Sequence, residues 1–428
     1  MRRWIGLATA GALLIGAPLV LRNRVHADDI DDALAKNKGE KGFSKAVTPP
    51  ALTGVDVLHM KEESGGITAP AHGGRTAHLT LDPTLQKLAK QLMRQNQIPE
   101  AAVVMTDTAT GKVLVYASHV EKGNLRDLCA EATAPAASIF KIITGAALVE
   151  QAGLGADAKQ CYWGGEHKLQ MENLIDDPRK DKYCATLTDA MGRSLNTVIA
   201  RLAMKNLDAP RLLATAKQFG FNEGIPFDLQ VQPHTIKIPE DTLGFARTSA
   251  GFWNTTLSPI AGATIAMTVA NKGSMIRPFL VDHVTDKEGA TIYKAATRQI
   301  VRRSIKSETA DQVTKMMEAT VRDGTSYKAF HDKSGASFLP DISVAGKTGT
   351  LTGDADHFYT WFVGFAPSKA PEVTISVLVV NGAMWRVKAN LVGREMLRAY
   401  FSAKDAPGVT MPKAVAAANV ERAAGDFD

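Results

Sequence analysis

The 428-residue sequence contains few cysteines, namely Cys129, Cys161 and Cys184. No C-x-x-C or H-x-x-x-H pair accompanies them, so the spacing typical of a protein metal site is missing. We therefore expect neither a metal nor any other cofactor. Because the number is odd, one cysteine is left over if a disulfide forms. Cys161 and Cys184 bracket a polar stretch, and a bridge between them is an open possibility.

The sequence also lacks a large excess of charge of one sign. Its formal net charge is +6, and four arginines fall within the first 27 residues, which contain no acid. The remainder carries only +2, so it has no basic footprint of the kind that nucleic-acid-binding proteins show. Internal repeats are missing as well. The content of 45% hydrophobic and 22% charged residues is typical of globular domains.

Long apolar runs are rare, and the clearest one extends from Trp4 to Leu21 at the N-terminus. Basic residues precede it, and residues 25–27 resemble a small-residue cleavage site, so residues 1–27 are predicted to be an export signal. The run is near the lower limit for a membrane span. An uncleaved membrane anchor and a cleaved signal peptide therefore both stay open.

Composition divides the rest of the chain into three parts. Residues 28–79 have mixed charge, paired prolines and paired glycines without a sustained period, which predicts a tether or linker. Residues 80–405 have continuous helix and strand patterns and are predicted to form one folded domain. Residues 406–428 are rich in alanine, end in acidic residues and are predicted to be a C-terminal tail.

The folded region mixes helical and strand patterns. LDPTLQKLAKQLMRQ predicts a helix that Asp82 can cap, with Pro83 in its first turn. SPIAGATIAMTVA is almost entirely apolar and predicts a helix buried on most sides. DISVAGKTGT, YTWFVGFAP and VTISVLVV predict consecutive strands. Because the links between these strands are short, we expect an α+β fold with an antiparallel sheet packed against helices.

The stretch VAGKTGTLTG contains Gly346-Lys347-Thr348 and suggests a phosphate-binding loop. A Walker A loop requires G-x-x-x-x-G-K-[ST] followed at once by a helix, because the helix N-terminus and loop N–H groups hold the phosphates together. Asp341 stands where the first glycine should be, and the residues after the lysine favour a strand. A nucleotide site is therefore excluded, and Lys347 requires another interpretation.

Two further motifs contain side chains that could act with Lys347. Ser138 and Lys141 form an S-x-x-K at the start of a predicted helix, where the spacing places both side chains on one face within proton-transfer reach. Ser194 and Asn196 form an S-x-N at the start of another helical stretch. Each motif alone is expected by chance in a chain of this length. Their order, and the kind of element that carries each one, give them weight.

The set S-x-x-K, S-x-N and K-T-G resembles that of the penicillin-binding protein and serine β-lactamase superfamily. The resemblance covers about residues 80–402 and includes the segments TLDPTLQ, GRSLNTVIARLA, AGKTGT and TWFVGFAP. It implies an antiparallel sheet flanked by helices, plus a mostly helical subdomain. Residues 28–79 are too few for the glycosyltransferase or pedestal domain of larger members, so a stand-alone transpeptidase domain is expected. Ala136 and Ala137 depart from the Gly-Ser or Gly-Thr that is common at these positions.

The resemblance implies that Ser138, Lys141, Ser194 and Asn196 are catalytic. Ser138 would attack an amide carbonyl to form an acyl-enzyme, and Lys141 would be the base, with a pKa lowered by burial and by the nearby cation Lys347. Ser194 would relay the proton to the leaving amine. Asn196 would orient Lys141 and the substrate amide.

The implied substrate-binding residues are Lys347, Thr348, Gly349 and Thr350. Lys347 and Thr348 are expected to hold the terminal carboxylate of a D-alanyl-D-alanine stem peptide. Gly349 is expected to let the peptide lie close to the strand. The backbone N–H groups of Ser138 and Thr350 are expected to bind the oxyanion.

This resemblance implies a serine D,D-transpeptidase of peptidoglycan synthesis, located in the bacterial periplasm or on the extracytoplasmic face of the cytoplasmic membrane. The alternatives are a D,D-carboxypeptidase, a class D-like β-lactamase that would need a deacylating base, and a penicillin-binding sensor or scaffold with little turnover. The expected partners are peptidoglycan stem peptides, β-lactams and a separate glycosyltransferase, with membrane association through the N-terminal segment and no nucleic acid.

Overall fold

A computed structural model describes residues 49–166, 168–353 and 357–405. The export signal predicted over 1–27, residues 28–48 of the predicted linker and the tail predicted over 406–428 lie outside the described residues. Across the three described ranges, every helix is too short or too polar to span a bilayer.

The strands of the described residues are numbered in chain order: β1 (Lys61–Glu63), β2 (Gly66–Ala71), β3 (Arg75–Leu79), β4 (Glu100–Asp107), β5 (Val113–Val120), β6 (Lys159–Tyr162), β7 (Tyr183–Thr186), β8 (Ser274–Ile276), β9 (Val281–Thr285), β10 (Thr291–Lys294), β11 (Ile300–Arg303), β12 (Ala345–Thr352), β13 (Phe358–Ala366) and β14 (Val373–Asn381).

The helices follow the same scheme: α1 (Pro83–Gln95), α2 (Lys141–Ala152), α3 (Met171–Leu174), α4 (Leu187–Gly192), α5 (Asn196–Asn206), α6 (Ala209–Gln218), α7 (Thr242–Ser249), α8 (Pro259–Ala270), α9 (Ser307–Arg322), α10 (Tyr327–Phe330) and α11 (Ala389–Asp405). Short 3-10 turns cover Pro50–Leu52, Val57–His59 and Ala137–Phe140.

The central sheet has the strand order β12-β13-β14-β4-β5, and every neighbouring pair is antiparallel. Successive residues of β4 point to opposite faces of this sheet. Val103 and Met105 pack in one core with residues of α1 and α11, whereas Ala102 and Val104 pack in another that includes residues of α8. The α+β architecture predicted from the sequence is therefore confirmed.

Two of the predicted helices form as their sequences indicated. The Asp82 carboxylate accepts a hydrogen bond from the Leu85 backbone N–H at 2.9 Å and caps α1. Helix α8 follows an N-cap at Ser258, and all of its residues are buried. The absence of a polar face on α8 is explained by its place in the fold, since it contacts β4, β13 and β14 on one side and α9 on another.

Residues 49–79 are folded and do not form the linker predicted for that stretch. Strands β2 and β3 pair with β9 in a second antiparallel sheet of order β1-β2-β3-β9-β10. Ile67, Ala69, Ala77 and Leu79 are buried in its core. Two of these four inward positions carry alanine, so the alternation of apolar and polar residues is too weak to read from the sequence.

Cys161 and Cys184 form a disulfide, so the possibility left open by the sequence is confirmed. The two residues face each other directly in the register of β6 and β7. Residues 161–184 are therefore closed into a single loop, which we call the bridged loop. Cys129 is the free cysteine and is buried.

Candidate active site

The 3-10 turn Ala137–Phe140 carries Ser138 and leads directly into α2, which begins at Lys141. Ala137 has a φ of 49°, in the left-handed region that costs a residue with a side chain about 1–2 kcal/mol. Gly251 packs against this turn so closely that a Cβ there would collide with the carbonyl oxygen of Ala137. The backbone at the serine is thus held in a strained form by its neighbours.

Lys141 is fully buried, and its Nζ contacts three oxygen atoms. They are Ser138 Oγ at 2.7 Å, Asn196 Oδ1 at 2.7 Å and the Ala250 carbonyl oxygen at 2.6 Å. Burial, assisted by the charge of Lys347, holds the pKa of Lys141 well below its usual value.

The lowered pKa of Lys141 favours its neutral form, and its contacts can accommodate that form. The oxygens of Asn196 and Ala250 can only accept hydrogen bonds, so they take the two N–H groups of a neutral amine. The remaining lone pair then faces Ser138 Oγ. The arrangement places a base where it can remove the proton of the Ser138 hydroxyl.

Ser194 and Asn196 lie where α4 passes into α5. Ser194 has a φ of 59°, and Asn196 is the first residue of α5. The Asn196 amide has two fixed partners, because Oδ1 accepts from Lys141 while Nδ2 donates to the Glu166 carbonyl oxygen at 2.5 Å. Its orientation in the crevice is therefore fixed on both sides.

Lys347 lies on β12, which is an edge strand of the central sheet. Its Nζ donates to Ser194 Oγ at 3.1 Å and to the Thr348 carbonyl oxygen at 2.9 Å. The side chain is fully buried, and this desolvation lowers the pKa of Lys347 to about 7. Lys347 thus connects the edge strand to the turn that carries Ser194.

The backbone of β12 presents polar groups at its free edge. The Thr348 carbonyl accepts a hydrogen bond from Lys347, from which we infer that it faces the free edge of β12 and not β13. Backbone groups alternate in direction along a strand, so the Thr350 N–H points to the same free edge.

Gly349 faces the turn that carries Ser138. A Cβ at this position would lie 3.2 Å from Ala137 Cβ and 3.3 Å from Ile139 Cγ1. The space left by the missing side chain is therefore filled by the 3-10 turn, and it lets β12 approach the turn of Ser138 closely. This packing differs from the sequence-based expectation that the missing side chain at Gly349 makes room for the substrate.

The structure adds two groups that the motifs did not indicate. Thr325, in the turn between α9 and α10, has its Oγ1 2.6 Å from Thr348 Oγ1 and donates its backbone N–H to the Gly192 carbonyl oxygen at 3.0 Å. The Ala250 carbonyl contacts Lys141. A Gly-Thr pair after a helix was the only sequence signal for Thr325, and a backbone carbonyl leaves no signal.

The three motifs therefore meet at one crevice. Direct contacts link Ser138 to Lys141, Lys141 to Asn196, and Ser194 to Lys347. Thr348, Gly349 and Thr350 follow on β12. Among the described residues, no cluster of three or more histidine, cysteine, aspartate or glutamate side chains could hold a metal ion. The chemistry available at this crevice is that of a serine hydroxyl next to a buried amine.

Comparison with known proteins gives consistent matches. Residues 101–397 match the family described as penicillin binding protein transpeptidase domain. Peptidoglycan D,D-transpeptidase PbpA of Mycobacterium tuberculosis is 28% identical over 347 residues, covering 72% of this chain and 68% of the relative. Stage V sporulation protein D of Bacillus subtilis is 25% identical, covering 80% of this chain and 54% of that protein.

The fold of this chain is similar to that of solved protein structures. The imipenem acyl-enzyme complex of penicillin-binding protein A from M. tuberculosis superposes with a TM-score of 0.64 and 27% sequence identity. The match covers 77% of this chain and 80% of that one.

Proposed function

This chain belongs to the penicillin-binding protein transpeptidase family, and from that premise we propose that Ser138 is its catalytic nucleophile. The protein is a serine D,D-transpeptidase that acts on peptidoglycan stem peptides and is acylated by β-lactams. The observation that carries the assignment of residues is the contact between Lys141 Nζ and Ser138 Oγ at 2.7 Å.

Acylation begins with proton transfer from Ser138 to Lys141. The serine oxygen then attacks the carbonyl carbon of the penultimate D-alanine in the stem peptide. The backbone N–H groups of Ser138 and Thr350 stabilise the oxyanion, and each such donor typically contributes about 10²–10³ in rate. The free edge of β12, to which the Thr350 N–H points, supports this role.

The leaving D-alanine needs a proton on its amine. Ser194 relays to this amine the proton that Lys141 took from Ser138, which leaves Lys141 neutral again and Ser194 with its hydroxyl. That hydroxyl is held by Lys347 at 3.1 Å. Asn196 keeps Lys141 in place through Oδ1 and can use its second Nδ2 hydrogen for the substrate amide.

The terminal carboxylate of the donor peptide binds next to β12. Thr348 and Thr350 are two residues apart, so their hydroxyls share one face of the strand. Lys347 supplies positive charge from a buried position beside them. A substrate carboxylate that approaches Lys347 raises its pKa again and favours the ammonium form.

Deacylation by an amine of a second stem peptide gives a cross-link, whereas deacylation by water gives carboxypeptidase activity. We place the reaction outside the cytoplasm, which the disulfide between Cys161 and Cys184 supports, because such bonds persist in oxidising compartments. We also propose that a separate glycosyltransferase supplies the glycan strands. The N-terminal segment would associate the protein with the membrane.

The test uses a stem peptide ending in D-alanyl-D-alanine, with and without an added amine acceptor. We expect D-alanine release and an acceptor adduct with the natural chain, and neither with Ser138→Ala. A fluorescent penicillin gives the parallel readout, with stable labelling over minutes. Loss of the label within seconds would favour a β-lactamase, and a folded chain that takes no label would overturn the proposal.

A further inference from the structure

The bridged loop, residues 161–184, contacts the first turn of α5 next to the catalytic crevice. The Asn196 Nδ2 group donates to the Glu166 carbonyl at 2.5 Å, and Thr197 Oγ1 donates to the Gly164 carbonyl at 2.7 Å. Gly165, between these two carbonyls, has a φ of 76°, and a Cβ there would collide with Thr197 Oγ1. The loop therefore lies directly against the start of α5.

The same loop is held from inside by Arg201 of α5, whose side chain is fully buried. Its Nε donates to the Asn173 carbonyl at 2.6 Å, and its Nη2 donates to the Ile175 carbonyl at 2.7 Å. Its Nη1 donates to the Cys161 carbonyl at 2.8 Å and to Asp181 Oδ2 at 2.7 Å. One guanidinium thus connects both ends and the middle of the loop to the helix that begins with Asn196.

The disulfide closes this arrangement at its base. Strands β6 and β7 are only four residues long each, and Cys161 and Cys184 join them at directly opposed positions. A bond across two short strands keeps the two ends of the loop together, and β6 itself lies against α5. The Glu166 carbonyl is therefore kept at the position where Asn196 meets it.

The orientation of Asn196 decides where the Lys141 lone pair points. With Nδ2 on the Glu166 carbonyl, Oδ1 accepts an N–H of Lys141 and the lone pair is left for Ser138. If the amide turned over, Nδ2 would donate into that lone pair, and Lys141 could no longer take the Ser138 proton.

We propose that the bridged loop is a positioning element for the reaction, acting through Asn196. The disulfide and Arg201 hold the loop, and the Glu166 carbonyl fixes the Asn196 amide. This inference rests on the function proposed above for Ser138. The inference adds that the position of the Lys141 lone pair depends on the bridged loop, which carries none of the three motifs.

The test compares acylation rates with a fluorescent penicillin in two backgrounds. Removal of the bridge by Cys161→Ala/Cys184→Ala is expected to lower the acylation rate constant about tenfold, because small displacements of a reacting group have large rate effects. The matched control is Cys129→Ala, which removes the buried free cysteine away from the loop and should leave the rate within about twofold.

The same bridge removal in an Asn196→Ala background should cause no further loss beyond about twofold, because the loop then has no amide to position. A loss of the same size in both backgrounds would show a general structural effect and overturn the inference. An unchanged rate in the natural background would overturn it as well. If the natural chain itself takes no label, the proposed function fails instead.

A second pair of variants avoids any dependence on the folding of the cysteine variant. Thr197→Val removes the hydroxyl that holds the Gly164 carbonyl, while Thr197→Ser keeps it. We expect a slower acylation for the valine variant and recovery for the serine variant, with unfolding temperatures close to that of the natural chain. Equal rates for these two variants would contradict the positioning role.

Discussion

Two lysines lie buried at the crevice, and their different contacts suit them to the different roles proposed for them. Lys141 is surrounded by oxygens of Ser138, Asn196 and Ala250. Lys347 contacts Ser194 and the strand on which it lies. Burial lowers the pKa of both, and the charge of Lys347 lowers that of Lys141 further. The lowered pKa of Lys141 suits it to act as a base, while Lys347 can be charged when a carboxylate binds.

Lys347 should reduce the stability of the folded protein. Its pKa is about 7 in the folded chain against 10.5 as the ordinary value, so the unfolded chain binds more protons at this position between those pH values. The contribution of Lys347 to the free energy of unfolding therefore becomes more favourable as the pH rises across that window. The cost of burying its charge is largest at or below pH 7. Lys347→Met should raise the free energy of unfolding by ~3 kcal/mol near neutral pH, with a smaller gain at higher pH.

Urea unfolding of Lys347→Met at neutral and alkaline pH measures this effect. Lys87→Met is the control, since Lys87 lies exposed on α1 and its replacement should change little at either pH. A gain for Lys347→Met that did not shrink as the pH rose would contradict the assigned cause.

The pH profile of acylation should depend on the charge at position 347. The rate rises with pH as Lys141 loses its proton, with a midpoint well below the ordinary 10.5. Lys347→Met removes the neighbouring charge and should move this midpoint to higher pH, whereas Lys347→Arg keeps the charge and should keep the midpoint low. Stopped-flow acylation by penicillin across a pH series measures this midpoint for each variant. Identical midpoints in the two variants would rule out the charge as the cause.

At the scale of elements, the crevice is made where an edge strand meets two helix starts. Strand β12 carries Lys347, the turn before α5 carries Ser194, and the turn before α2 carries Ser138. These elements approach closely because small residues lie between them. Gly349 lets β12 approach the nucleophile turn, and Gly324 faces the Gly192 carbonyl so closely that a Cβ would collide with it.

Thr325 ties two of these elements together. Its hydroxyl lies 2.6 Å from that of Thr348 on β12, and its N–H donates to the Gly192 carbonyl at the end of α4. Thr325→Val leaves the Thr348 hydroxyl without this partner and should slow acylation about tenfold, while Thr325→Ser should stay within about twofold. The acylation rate constants with a fluorescent penicillin compare the two. If the valine and serine variants react equally fast, the hydroxyl contact does not hold the strand in place.

The sequence predicted the elements that carry motifs better than the contacts between them. S-x-x-K and S-x-N stand at the start of stretches whose apolar residues have helical spacing, so Ser138, Lys141 and Asn196 could be placed on the correct elements. Contacts made through backbone atoms leave no pattern. For that reason the carbonyls of Ala250 and Glu166 appear only in the structure.

At the scale of the whole molecule, the two five-stranded sheets of the described residues share one buried cluster, and helices pack with the central sheet in another. The boundary of the folded unit was the part that the sequence predicted least well. Strand β2 buries alanine and threonine beside one isoleucine, which does not raise the local hydrophobicity enough to distinguish a strand from a linker. Residues 49–79 are recognisable as folded only through their pairing with β9, which is far away in the sequence.

Truncation tests this assignment of residues 49–79. A chain that begins at residue 80 lacks β1, β2 and β3, so the buried side chains of Val281 and Val284 on β9 lose their cover. Relative to a chain that begins at residue 49, we expect it to lose at least ~5 kcal/mol of stability or to fail to fold. Thermal unfolding followed by circular dichroism compares the two. Equal unfolding temperatures would show that the second sheet does not support the domain.

The central claim is that one serine, activated by one buried lysine, becomes acylated. Peptide mapping by mass spectrometry after brief treatment with a penicillin tests it most directly. The expected result is a single added mass of the intact antibiotic on the peptide that contains Ser138, lost in Ser138→Ala and strongly reduced in Lys141→Ala. Attachment of the antibiotic to another residue of the folded chain, or full labelling without Lys141, would contradict the account.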